Sequence, residues 1–350
     1  MIIGITGTNA SGKGTAVDFL KQRGFKHYSV RDFLTDELTK RNLPTNRQYL
    51  QEVANELRAK HGPAYIVEQI YQRAVANGEN ATIESFRCPG EVASMKRLPN
   101  FVLLAIDADA RTRYERAVQR QSSTDTNMTF EQFLEDEKRE MTNADPFKQN
   151  LSKCADMADI FLLNEGSREE LERKVSQYLT FDSDGFLTRR PTWDETFMRE
   201  TYLWASRSTC RRRKVGAVIS TPDHALVAQG YNGSPRGTPN CTNLEFCERQ
   251  RQGVPSGQML EKCKAVHAEP NAIINAGLQG KSVKGDILYC TTFPCQICAG
   301  IITNAGIREI IYEADYANPD AKRTFADAGI KTRRFEGVRH VGFGKLFKQS

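Results

Sequence analysis

An apolar, β-branched run over residues 1–6 leads directly into Gly7-Thr-Asn-Ala-Ser-Gly12-Lys13-Gly14-Thr15, and residues 15–22 then carry apolar side chains at helical spacing. Strand, glycine turn and helix in immediate succession constrain this chain more than any other feature. A strand buried on both faces needs further strand–helix units to cover it, so the opening predicts a parallel sheet with helices on either side. Strand-like runs at 81–83, 101–106 and 160–164 supply those units, with amphipathic stretches at 30–40 and 46–76 between them. A helix over 167–179 closes the unit.

The glycine turn also has a chemical meaning. Backbone amides at such a turn and at the helix N-terminus cradle phosphate oxygens, Lys13 reaches the terminal ones, and Thr15 is placed for magnesium or phosphate. Gly14 stands where the usual pattern has Ser or Thr. The expected nucleotide-binding residues are therefore Gly7, Gly12, Lys13, Gly14 and Thr15, with Mg2+ and a nucleoside triphosphate as the ligands.

A length of 350 residues suggests two domains. The turn-prone stretch around Asp182, Ser183, Asp184 and Gly185 marks the boundary: a nucleotide-binding domain over 1–184, a linker over 185–191, and a second domain over 192–350. The longest apolar run is 101–106, far short of the roughly 18 residues a membrane span needs. The first residues also lack a basic leader followed by an apolar core, so the expected compartment is the cytoplasm. From residue 192 onward there are 22 Lys and Arg against 15 Asp and Glu, whereas the remainder is nearly balanced at 27 against 28. The second domain is where an anionic ligand is favoured.

Seven of the nine cysteines also fall there, and clustered cysteines in a reducing compartment point to metal. His267-Ala-Glu269 followed by Pro294-Cys295-Gln-Ile-Cys298 has the H-x-E and P-C-x-x-C pattern of zinc deaminases. One imidazole and two thiolates fill three tetrahedral positions of zinc and leave a fourth for water. The metal would acidify that water, and Glu269, beside the ligands but not one of them, would carry its proton to the ring nitrogen and the leaving amine. Both His267 and Cys295 begin apolar helical runs, which places them at positive helix ends.

On these residues the second domain resembles the deoxycytidylate deaminase family of the cytidine deaminase superfamily. The likeness extends through Ser208-Thr-Cys210, Lys214-Val-Gly-Ala-Val-Ile219, Gly230-Tyr-Asn-Gly-Ser-Pro-Arg-Gly237 and Thr292-Phe-Pro-Cys295. It implies that Asn232 hydrogen-bonds the deoxyribose and that the run Arg211-Arg-Arg-Lys214, Arg211 foremost, and Tyr316 approach the 5′-phosphate or an effector site. It further implies a second, structural zinc at Cys210 and Cys241, with Cys247 and Cys263 completing a four-thiolate set. The first domain is similar to small P-loop kinases of the nucleoside monophosphate and dephospho-coenzyme A type, through Ser29-Val-Arg-Asp-Phe-Leu34, Ile83-Glu-Ser-Phe-Arg87 and Asn164-Glu-Gly166. There Glu84 would stand near magnesium, Arg87 near an acceptor phosphate, and Arg116 or Arg120 in a lid.

The expected fold class is thus α/β: a P-loop kinase-like parallel sheet followed by a cytidine-deaminase-like α/β/α domain. The expected activity is zinc-dependent hydrolysis of dCMP to dUMP and ammonia, supplying dUMP for thymidylate synthesis. ATP or a deoxynucleoside triphosphate would act as feedback effector on a homo-oligomer. Three alternatives stay open: a bifunctional kinase and deaminase, a nucleic-acid editor, and a defence-type deaminase gated by the P-loop domain. Against nucleic acid, the basic residues near the motif lack the interleaved aromatics on which successive bases stack.

Overall fold

A computed structural model describes residues 1–98, 100–120, 128–143, 149–254, 258–315 and 319–348. The chain divides into two compact units, one built from Met1–Arg190 with Gly337–Ser350 and the other from Pro191–Glu336.

The first unit is a six-stranded sheet of β1 (Ile2–Gly7), β2 (Lys26–Ser29), β3 (Ala81–Glu84), β4 (Phe101–Asp107), β5 (Ile160–Leu163) and β11 (Gly337–Val338). Their order is β11-β5-β4-β1-β3-β2; β11 runs antiparallel to β5 and every other neighbouring pair is parallel. Ile3, Ile5, Phe101, Leu103 and Leu104 are fully buried, which is why these strands read as unbroken apolar runs. The helices Lys13–Gln22 and Arg168–Tyr178 pack on one face through Ala16, Val17, Leu20, Leu171 and Val175. The expected stretch 46–76 is two helices, Arg47–His61 and Tyr65–Ala76, parted where Gly62 adopts φ 102° ahead of Pro63.

The second domain was expected to run to residue 350, but its last stretch packs elsewhere. Gly337 and Val338 pair with Phe161 and Ile160, and the helix His340–Leu346 buries Phe343 and Leu346 in the core of the first unit. The first unit therefore opens and closes the chain, with the second inserted in its sequence.

The second unit holds β6 (Gly216–Ser220), β7 (Leu226–Tyr231), β8 (Ile287–Thr292), β9 (Glu309–Ala314) and β10 (Lys331–Arg334), in the order β10-β9-β8-β6-β7. Strands β8, β9 and β10 are parallel, while β6 is antiparallel to both β7 and β8. Two glycines let helices lie close against the sheet. A Cβ on Gly230 would stand 2.3 Å from the Ala268 carbonyl oxygen, and one on Gly216 would stand 2.0 Å from that of Thr201. The first of these contacts brings the helix Ala268–Leu278 tightly onto β7, next to the residues described below.

Candidate active site

His267 is the N-cap residue of the helix Ala268–Leu278, and Cys295 is that of the helix Gln296–Asn304, which follows β8. Neither side chain caps its own helix, so the imidazole and the thiol remain available to a ligand at the positive helix ends. His267 Nδ1 lies 3.4 Å from Cys295 Sγ and 3.3 Å from Cys298 Sγ, and the two sulfurs are 3.5 Å apart. Zinc–sulfur bonds of about 2.3 Å and zinc–nitrogen bonds of about 2.0 Å at tetrahedral angles separate two sulfurs by about 3.8 Å, and sulfur from nitrogen by about 3.5 Å. The triangle fits the ion. Among the described residues, it is the only set of three or more His, Cys, Asp or Glu with ligand atoms all within 4.8 Å of one another.

Glu269 is 4 % exposed, and the Cys298 thiol lies 3.6 Å from its Oε2. Burial raises this carboxyl above the ordinary range, opposed chiefly by the His267 charge. The hydrogen bond with Cys295 raises His267. In the thiol pair, the sulfur-to-sulfur hydrogen bond favours the first ionisation at Cys295 and opposes a second at Cys298, where burial and the neighbouring negative charges add to the opposition. A cation seated between them would remove that opposition. Cys290 is wholly buried and its thiol is pushed far up by desolvation, so it serves the core.

A cavity over the triangle is lined by His267, Glu269, Cys295, Asn232, Thr292 and Phe293, among others. Asn232 Oδ1 accepts from Ser208 Oγ at 2.5 Å and from the Val215 amide at 2.9 Å, while Nδ2 donates to the Arg213 carbonyl at 2.9 Å. Its amide thus ties down the loop before β6 and keeps a second Nδ2 proton for a ligand. Arg211 also lines the cavity, with Nη1 donating to the carbonyls of Leu244 and Glu245. Cys210, Cys241, Cys247 and Cys263 all reach the same cavity wall, but their sulfurs are not drawn into a set as compact as the triangle. Tyr316 lies outside the described residues. Arg249, 7 % exposed and lining the cavity, was not singled out from the sequence; an arginine in a polar excursion carries no pattern that announces burial.

In the first unit, Gly7 and Gly12 take φ 146° and 103°, and Gly12 is the N-cap of the helix Lys13–Gln22, whose first turn receives no side-chain cap. Uncapped first-turn amides are what a phosphate would meet. Lys13 Nζ donates to the carbonyls of Gly7 at 3.0 Å and Thr8 at 2.6 Å, and burial lowers its pKa to about 8. Gly14 faces open space and Thr15 is half-buried. Glu84 at the end of β3 meets His27 Nε2 at 3.2 Å. Two arginines have protein partners: Arg87 pairs with Glu140 at 3.2 Å, and Arg116, expected in a lid, donates to the carbonyls of Asn164 and Gly166.

Residues 191–314 match the cytidine and deoxycytidylate deaminase zinc-binding region, and residues 3–143 match an AAA domain. A deoxycytidylate deaminase of Schizosaccharomyces pombe is 29% identical over 340 residues, covering 95% of this chain and 97% of that protein. One from Saccharomyces cerevisiae is 30% identical over 278 residues, covering 77% of this chain and 85% of its own length. The human deoxycytidylate deaminase is 36% identical over 149 residues, covering 41% of this chain and 79% of that protein. With the ligand triangle and its buried carboxylate, these likenesses lead to one conclusion: this chain belongs to the deoxycytidylate deaminase family.

Proposed function

We propose that the protein converts deoxycytidylate and water to deoxyuridylate and ammonia. The observation that carries this reading is the convergence of His267, Cys295 and Cys298 with the Glu269 carboxylate against them. Those three side chains would hold zinc, which when bound supplies the acidity that makes water a nucleophile at neutral pH. Glu269 Oε2 accepts a proton from the attacking water and delivers it to the cytosine ring nitrogen. Once the C4–O bond has formed, the carboxylate takes the proton of the added hydroxyl and passes it to the amine, so that the C4–N bond breaks and ammonia leaves. Burial, which raises the Glu269 carboxyl, suits a group that must hold a proton between these transfers. Phe293, packed edge-on against Tyr312 and Phe325, forms an apolar wall, and Asn232 offers its remaining Nδ2 proton to the sugar.

The test is ammonia release from dCMP by the full chain and by its Glu269→Gln variant. Loss of a positioned proton carrier costs roughly 10²- to 10⁴-fold in rate. Unchanged turnover in a variant that retains zinc would contradict the assignment.

For the first unit we propose a nucleoside triphosphate with Mg2+ at the glycine loop, acting as an effector of deamination, with a phosphoryl-transfer role as the alternative. An effector must bind two states unequally to shift anything. In the Lys13→Ala variant, the dCMP saturation curve should no longer respond to ATP, dCTP or dTTP, and an intact response would remove the loop from that role. The four further cysteines remain candidates for a structural zinc. Ile274, Leu278, Ile297 and Ile301, exposed apolar residues on two neighbouring helices, support a homo-oligomer, which equilibrium sedimentation of the full chain checks.

A further inference from the structure

The helix Ala268–Leu278 meets β7 through more than close packing. β7 is the last strand of its sheet, so every second carbonyl along it points away from β6. Two of these, on Gln229 and Tyr231, take their donors from the helix: Asn275 Nδ2 at 2.7 Å and Asn271 Nδ2 at 2.8 Å. The spacing accounts for the match. Four residues of helix rise about 6 Å and two residues of strand advance about 6.7 Å, so amides at i and i+4 fall opposite alternate carbonyls. Gly230, between the two carbonyls, makes room for the approach, since a Cβ there would stand 2.4 Å from the Ala272 amide nitrogen.

Of the two amides, Asn271 is the nearer to the site. It lies one helical turn beyond His267 and two residues past Glu269, and its partner Tyr231 is followed directly by Asn232. On the other side of Asn232, Gly233 exchanges two backbone hydrogen bonds with Val266, at 3.1 and 2.8 Å, and Val266 precedes His267. Residues 231–233 and 266–271 thus form a clasp, closed at one end by a backbone pair and at the other by the Asn271 side chain. We infer that Asn271 is a positioning residue for deamination: by holding the Tyr231 carbonyl, it sets how far the Asn232 amide stands from Glu269 and the ligand triangle. The inference rests on the deamination reading above and adds what fixes the distance between the sugar and the reacting carbon. A nucleotide anchored through its sugar brings cytosine C4 to the triangle only if the anchor is correctly placed, and a displacement of about 1 Å can cost on the order of 100-fold in rate. Asn275 makes the same kind of bond one turn further away, and so serves only to dock the helix.

The experiment measures kcat and KM for dCMP, zinc content and the denaturation midpoint on the full-length, zinc-loaded protein. The variants are Asn271→Leu, Asn275→Leu, Asn232→Ala and the double variant Asn232→Ala with Asn271→Leu; leucine is close to asparagine in size and cannot donate. Asn271→Leu should lower kcat roughly 10- to 100-fold while KM and zinc content hold. Asn275→Leu should lose comparable stability and keep kcat near the wild type. Because Asn271 acts through Asn232, the double variant should lose little beyond Asn232→Ala alone. Equal losses of kcat in the two leucine variants, no loss in Asn271→Leu, or a full additional loss in the double variant would overturn the inference. Should Asn271→Leu fail to fold, Asn271→Ser, whose hydroxyl stops short of the Tyr231 carbonyl, takes its place under the same criteria. Wild-type protein that releases no ammonia from dCMP would sink the deamination reading itself, before any variant is compared.

Discussion

Cys295 and Cys298 show how much of this protein's chemistry is local. Two sulfurs 3.5 Å apart inside the protein share their ionisation, and the second proton leaves readily only when a cation takes its place. Gly12 is the corresponding residue in the first unit. Its φ of 103° is left-handed, and a Cβ there would stand 2.2 Å from Asn164 Nδ2 and 2.9 Å from Leu171. Gly12→Ala should destabilise the first unit by about 1–3 kcal/mol, from backbone strain and the collision together. Chemical denaturation followed by a probe in that unit measures it, and an unchanged midpoint would show that the turn is not held as described. Asn164 is the hidden partner: its amide donates to the Ser11 carbonyl at 2.9 Å, which braces the loop from the end of β5.

At the scale of elements, the strands legible in the sequence are the buried ones. The two that pattern reading passed over in the first unit, β2 as Lys26-His-Tyr-Ser29 and the two-residue β11, are both at sheet edges, as is the polar β10, Lys331-Thr-Arg-Arg334, in the second. Edge strands carry polar side chains or stay short, so the alternation or apolar run that marks a strand is missing from them. The ligand triangle was legible for the opposite reason. Its three ligands fall in two short segments at helix starts, and helix geometry does the rest. Arg249 and the engagement of Arg116 with two carbonyls were not, because each depends on chain far away in sequence. The closing helix His340–Leu346 yields a test of the corrected boundary. Burial, with Arg339 and Lys96 nearby, lowers His340 to about 4 from an ordinary value near 6.5. Between those pH values the unfolded chain binds the proton and the folded one does not, so stability falls as pH drops from about 6.5 to 4. The His340→Gln variant should show a shallower loss in the first unit over that window. An identical slope would remove His340 from the account.

At the scale of the molecule, each unit is a complete α/β layer structure with its own core, and each carries a helix N-terminus poised over chemistry: a glycine loop in one and a cysteine in the other. The Schizosaccharomyces pombe relative matches almost the whole chain, so the pairing of these two units is not peculiar to this protein. The proposed deamination depends on the ion held by the second unit. The most direct measurement is dCMP turnover by protein stripped of metal with a chelator, with zinc content determined on the same sample, and again after zinc is restored. The stripped protein should release no ammonia, and release should recover when zinc returns. Steady turnover by protein shown to hold no zinc would contradict it.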